Sequence, residues 1–205
     1  MANETAKRRN YRKRRRAEQE AETRQRITEA TVRLHGTVGP AETTVSGIAR
    51  EAGVQRATVY RHFPDEEALF AACSAHYIGQ HPLPDPGRWE EIADPAQRLR
   101  HGLRELYGWF GETEQMTELT SRDADRVPAM RNAFGAMVAY FELARSALLR
   151  GRPQRGRART RVSAAIGHAI AFPTWRSLVR EQGLDEDDAV ELMVSLVEAT
   201  ARFRP

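Results

Sequence analysis

Residues 44–63 read Thr-Val-Ser-Gly-Ile-Ala-Arg-Glu-Ala-Gly-Val-Gln-Arg-Ala-Thr-Val-Tyr-Arg-His-Phe and constrain the fold more than any other stretch. Val45, Ile48, Ala49 and Ala52 recur at i, i+3, i+4 and i+7, one face of a helix. Gly53 follows, and glycine can take the left-handed conformation that ends a helix. Val54 then buries the corner. A second short helix turns Val59 and Phe63 inward on i, i+4 spacing. Its outward positions are Gln55, Arg56, Thr58, Arg61 and His62. A helix whose free face carries those groups can enter a DNA major groove.

The rest of the chain is helical in period too. Every long segment repeats its apolar residues at helical spacing and no alternating run suggests a sheet, so the expected class is all-α, with about nine helices. A hydrophobic share of 40% can support a core for one domain or two small ones. The one cysteine, Cys73, follows Leu69 and Phe70 on an apolar face and reads as a buried small hydrophobe; it excludes an intrachain disulfide. No apolar run nears the ~18 to 20 residues that span a bilayer, and the basic N-terminus has no apolar core of a secretory signal. A cytoplasmic protein with no membrane partner is expected.

Charge is concentrated at one end. Residues 1–26 hold ten Lys/Arg and four Glu, a net of +6, so the remainder carries −2 of the chain's total of +4. Residues 1–20 are therefore expected to form a basic arm, disordered or a fraying helix. Its runs Lys7-Arg8-Arg9 and Arg12-Lys13-Arg14-Arg15-Arg16 would be drawn to phosphates, or would act as a solubilising tail. Because 30 of the 32 basic residues are Arg, a choice of Arg over Lys carries no information here.

Helix boundaries come from prolines, glycines and caps. A first helix is expected from about Glu22 to Thr37, with Ile27, Ala30, Thr31, Leu34 and Val38 inward. Thr43 or Thr44 caps the second. Pro64 ends the third, and a fourth begins near Asp65. Pro82, Pro84 and Pro86 make 79–87 non-helical and set a boundary: 21–78 as the helix-turn-helix domain with its connecting helix, 79–205 as a second domain. Downstream, Asp94-Pro95 starts a helix. Another short one holds Met116 and Leu119. Pro128 opens a long one with Met130, Phe134, Met137, Phe141, Ala144 and Leu148 on a stripe. The arginines of 150–161 read as a solvated loop rather than a second polyanion site. A helix from about Ala158 to Arg180 is kinked at Pro173, which would free a carbonyl near Ala169. Asp185 caps the last helix.

Thr44-Val45, Ile48-Ala49, Ala52-Gly53-Val54, the run Thr58-Val59-Tyr60-Arg61-His62-Phe63-Pro64 and Glu67-Ala68-Leu69-Phe70 together resemble the TetR family of transcriptional regulators, over roughly residues 22–78. The resemblance implies a homodimer with the helix-turn-helix in three N-terminal helices. It also implies a C-terminal helical domain that dimerises through its last two helices and encloses a site for a small effector. The implied activity is that of a ligand-responsive regulator, a repressor, released from a pseudopalindromic operator on double-stranded DNA. An architectural DNA-binding protein without an effector is the alternative. No enzyme motif, cofactor site or metal site is expected.

Residue roles follow from both sources. Thr44, at a helix N-terminus, can bind a phosphate. Tyr60 and His62 resemble the family's phosphate contacts; Tyr60 could at the same time be a core aromatic with its OH at the surface, and His62 could instead be a packing residue. Arg56 and Arg61 suit guanine or a plain solvated face, Gln55 suits adenine, and Ala57 and Thr58 suit a thymine methyl. Gln55 stands where the family often has a capping Ser, and Glu66 where many members have a phosphate-binding Lys. For the effector, Trp109, Phe110, Met130, Phe134, Met137, Phe172 and Trp175 are the candidates, with a packed core as the other reading of those residues. Val162, Ala165, Ile166 and Ala169, with Leu192, Leu196 and Ala199, are the candidate dimer faces.

Overall fold

The computed structural model describes residues 2–203, with side chains for residues 10–203 except 133. The side chains of Lys7, Arg8 and Arg9, part of the run expected to seek phosphates, lie outside the described residues. Ten α-helices and no strand occur among the described residues. They are α1 Ala2–His35, α2 Val45–Glu51, α3 Arg56–His62, α4 Glu66–Gln80, α5 Pro86–Trp89, α6 Pro95–Asp123, α7 Arg131–Leu149, α8 Gly156–Ala169, α9 Phe172–Arg176 and α10 Glu186–Arg202. None is long and apolar enough to cross a membrane.

The chain forms two compact units. One comprises residues up to Gln80 together with Glu118–Ala133; the other comprises His81–Thr117 and the residues from Phe134 onward. Glu118–Ala133 thus packs with the helix-turn-helix, although it lies within the 79–205 expected for the second domain.

In the first unit, Ile27, Ala30, Ile48, Ala49, Ala52, Val59, Phe63 and Leu69 make one buried cluster. The apolar positions expected to face inward on the first three helices lie in this cluster or, as Leu34 and Val45, against it, and Thr31 is buried; Val38, beyond the end of α1, is exposed. Phe70, Cys73, Ala129 and Met130 make a second cluster. Burial raises the Cys73 thiol to about 12.

The return segment is fastened by Asp123, whose side chain is fully buried. Its carboxylate accepts from the Ala41 backbone N–H at 3.0 Å and from two Arg122 nitrogens at 2.9 Å. Arg126 adds a longer contact and also faces Glu42. The Arg122 guanidinium, with the Ala41 amide, holds the Asp123 carboxyl down at about 2. Gly39 is required beside it: its φ is 93°, and a Cβ there would lie 2.6 Å from Asp123 Oδ2.

Of the two forms expected of the basic arm, the helix and not the disordered segment is found: α1 continues through residues 2–20. Ala, Glu, Gln and Arg are good helix formers, and Arg14–Glu18 and Arg16–Glu20 pair at i, i+4. The sequence reading needs three corrections. Met116 and Leu119 lie within an unbroken α6 rather than in a helix of their own. Pro86 is helical, as the opening residue of α5, where its missing N–H costs nothing. Pro173 does not kink a helix but sits in the first turn of α9, after α8 has ended. The carbonyl freed at Ala169 accepts the Tyr107 hydroxyl at 3.0 Å.

Two buried arginines hold the second unit. Arg98 donates to the carbonyls of Ile92 at 2.7 Å, Arg150 at 2.6 Å and Ala147 at 3.2 Å, which satisfies groups around the end of α7. Arg152 pairs with Glu198 at 2.9 Å. Arg150 meets Glu90, and Arg155 donates to the carbonyls of 152–154. The 150–161 segment is therefore partly structural rather than simply a solvated loop. Arg98→Ala is expected to lower stability by about 3 kcal/mol, because several buried carbonyls lose their donor together. Urea unfolding should show it, with Arg98→Lys restoring only part.

Candidate nucleic-acid interface

The glycine corner forms as its residues require. Thr44 caps α2, its Oγ1 accepting from the Gly47 N–H at 3.0 Å, so the hydroxyl proton stays available to an outside acceptor. Gly53 takes φ 65°, and the Val54 N–H closes onto the Ala49 carbonyl at 2.9 Å. Val59 and Phe63 anchor α3 in the core. Gln55 precedes α3 without making a side-chain cap, which leaves its amide free to face outward.

That anchoring sorts the remaining α3 residues. Gln55, Arg56, Ala57, Tyr60 and Arg61 are exposed, while Thr58 and His62 are half-buried. Tyr60 is 50% exposed, which makes it a surface aromatic rather than a core one. Arg56 and Arg61 form no hydrogen bond or ion pair with any described residue. Burial, with Arg61 and Arg24 nearby, lowers His62 below the ordinary imidazole value, while Glu20 pulls the other way. Its Nε2 is buried and unpaired, so that atom does not face outward. Near neutral pH His62 thus offers a hydrogen bond rather than a charge.

Arg24 belongs to this site and was not anticipated. It comes from α1, donates to the His62 carbonyl at 2.5 Å and stacks over the Phe63 ring at 4.1 Å. A cation at the last carbonyls of α3 also opposes the negative end of the helix dipole. The only sequence signal was a basic residue one turn before Ile27. Glu66 opens α4 from an exposed position, where it suits the helix dipole but would repel a phosphate.

In the second unit, four of the seven effector candidates meet. Phe110 contacts Trp109, Phe172 and Trp175 at ring separations of 5.7, 5.4 and 5.9 Å, and Phe172 stacks on Trp175 at 5.5 Å. Trp175 is fully buried, yet its indole N–H has no hydrogen-bond partner. Met130 does not join them: the turn at Pro128 keeps it in the first unit, against Phe70 and Cys73. Phe134 is exposed and Met137 half-buried on α7. A groove of about 520 Å³ lies elsewhere, between Arg145, Leu149, Arg159 and Ser163, and none of the seven lines it.

Comparison with known proteins agrees with this geometry. The pattern described as bacterial regulatory proteins of the tetR family matches residues 27–73. The HTH-type transcriptional regulator AcrR of Shigella flexneri is 43% identical over 58 residues, covering 28% of this chain and 27% of that protein. The matched stretch spans only about a fifth to a quarter of the first curated relatives. Over the whole fold, a TetR-like transcriptional regulator from Rhodococcus sp. RHA1 superposes with a TM-score of 0.62 at 21% identity, covering 89% of this chain and 97% of that one. FadR from Bacillus subtilis, solved in complex with stearoyl-CoA, superposes at 0.59 with 18% identity, covering 84% and 96%. The helix-turn-helix is thus similar in sequence to bacterial regulatory proteins of the tetR family, and the chain as a whole shares the fold of TetR-like regulators.

Proposed function

We propose that the protein is a homodimeric, ligand-responsive transcriptional repressor of the cytoplasm. It reads a pseudopalindromic duplex operator and leaves it when a small, largely apolar effector binds. One observation carries the DNA-reading part: α3 is held by Val59 and Phe63 while Gln55, Arg56, Ala57, Tyr60 and Arg61 stand exposed, the two arginines without internal partners. Arg56 and Arg61 then read guanine edges, Gln55 reads adenine, Ala57 and Thr58 meet a thymine methyl, and Thr44, Tyr60 and His62 hold phosphates.

The effector part is supported by the ring cluster of Trp109, Phe110, Phe172 and Trp175. A buried donor without an acceptor is costly, and an apolar ligand carrying one hydrogen-bond acceptor would satisfy the Trp175 N–H. FadR, of the same fold, takes a ligand with a long acyl chain.

The test is selection of bound duplexes from a random pool, followed by Arg56→Ala. A bidentate guanine contact contributes about 1 to 3 kcal/mol of discrimination, so affinity for the selected duplex should fall roughly five- to a hundredfold. Affinity for random DNA should stay within about twofold. Equal losses on both would reject base reading by Arg56. A steep salt dependence with no selected sequence would favour the architectural alternative.

A further inference from the structure

The basic run is neither tail nor loop but the first half of α1, which continues unbroken into the helix-turn-helix core. Ile27 is the first residue of α1 in the core cluster, so about 25 residues precede it, roughly 37 Å of helix at 1.5 Å per residue. Residues 10–22 are exposed throughout, and no apolar face on them could seat a protein partner.

The direction of this rod is fixed at the reading helix. Arg24 holds the His62 carbonyl and the Phe63 ring at the end of α3, and the Glu20 charge is felt at His62. Ala17 and Lys13, seven and eleven residues before Arg24, lie within about 20° of its direction on an ideal helix. Arg14 and Arg16 flank them, about 80° to either side. The side of α1 that meets the end of α3 therefore continues as a basic surface. Arg14 and Arg16 have Glu18 and Glu20 as neighbours, but these pairs are largely exposed and yield readily to phosphate. Lys13 pairs with no described residue.

We propose that the N-terminal half of α1 is a rigid phosphate-tracking helix that grips duplex DNA flanking the site read by α3, with Lys13, Arg14 and Arg16 as its contacts. This rests on the DNA-reading function proposed above. The basic helix supplies sequence-independent attraction that Glu66, at the start of α4, does not. Because the helix is continuous with the core, its charges are held in register with the reading helix instead of being spread over a flexible tail.

The experiment uses the full chain and a duplex selected by it from a random pool, prepared with and without ten flanking base pairs on each side. If no duplex is selected, the DNA-reading function itself fails. With a selected duplex in hand, the triple variant K13Q/R14Q/R16Q should lower the slope of log affinity against log salt by about 2 to 3 on the flanked duplex, each lost phosphate contact counting about 0.9. It should leave the selected sequence unchanged and have little effect on the trimmed duplex. Ala17→Pro keeps every charge but breaks the helix between rod and head, and should reproduce most of that loss, with circular dichroism confirming a core still folded. An unchanged slope in the triple variant overturns the contact. A reduced slope in the triple variant with none in Ala17→Pro overturns the rigid helix and makes the segment a flexible tether.

Discussion

Acidification from pH 6.5 to pH 4 is expected to remove about 3 kcal/mol of stability through His35 alone, and His35→Leu is expected to abolish that part of the pH dependence. His35 is 5% exposed, stacked on Phe70 with ring centroids 4.7 Å apart, and its Nδ1 lies 3.7 Å from the Cys73 sulfur. Burial lowers it to about 4 from the ordinary 6.5, with the Asp123 charge opposing. Above 6.5 the imidazole is neutral in both folded and unfolded chains, and the contribution is complete. Between 6.5 and 4 the unfolded chain takes up a proton that the fold refuses, so stability falls as pH falls. Below 4 both states are protonated and the loss stops. A shift of this size corresponds to about 3 kcal/mol, at roughly 1.4 kcal/mol per pH unit. Asp123 acts in a separate window. Its carboxyl is depressed to about 2, so its contribution is complete above the ordinary carboxylate value and is lost as pH falls from about 3.8 through 2. Urea midpoints of wild type and His35→Leu at pH 7, 6, 5 and 4.5 give the comparison. Parallel curves would show that His35 is not held neutral; curves converging as pH falls are the expected result.

Both groups show which parts of this molecule can be read along the chain. Local chemistry was legible. Thr44 caps α2, Gly53 takes the left-handed turn, and Asp94 and Asp185 accept from the Gln97 and Asp188 amides at the starts of α6 and α10. Val59 and Phe63 are buried as their spacing implies, and Gln55, Arg56 and Arg61 face outward as expected, but Thr58 and His62 are half-buried and Tyr60 is exposed. Long-range partners were not legible. Asp123 meets Ala41 across 82 positions, and nothing in a helix-ending Arg-Asp pair announces that. The freed Ala169 carbonyl was foreseen from Pro173, but not its donor Tyr107, 62 positions away. Arg24 looked like one more residue of a basic stretch until the fold set it beside Phe63. The aromatic candidates were separated by what the chain does between them. Pro128 leaves Met130 with the first unit, while Phe110, Phe172 and Trp175 converge.

Leu196→Asp is expected to convert the proposed dimer to monomers at micromolar concentration, raising its dissociation constant at least about a hundredfold. α8 and α10 pack on each other within the second unit, and the sides turned together bury Val162, Ile166 and Ala169 with Ala189, Met193 and Val197. The other side of α10 keeps Leu192 and Leu196 at 39% and 50% exposure, with Ala199 also exposed. Two large apolar side chains one turn apart, next to a small residue, form a stripe that a two-fold mate could cover closely. In a two-fold interface every substitution occurs twice, and a carboxylate placed there is desolvated without a partner on either side. The same change should leave the isolated chain's stability nearly untouched, because Leu196 does not contribute to the interior. Met193→Asp, one turn inward, should instead unfold the unit. Sedimentation equilibrium separates these outcomes. A Leu196→Asp protein that is folded and still dimeric would remove this face from the interface. A folded monomer should also lose the preference for paired half-sites while keeping weak binding to a single one, because the spacing between two reading helices exists only in the dimer.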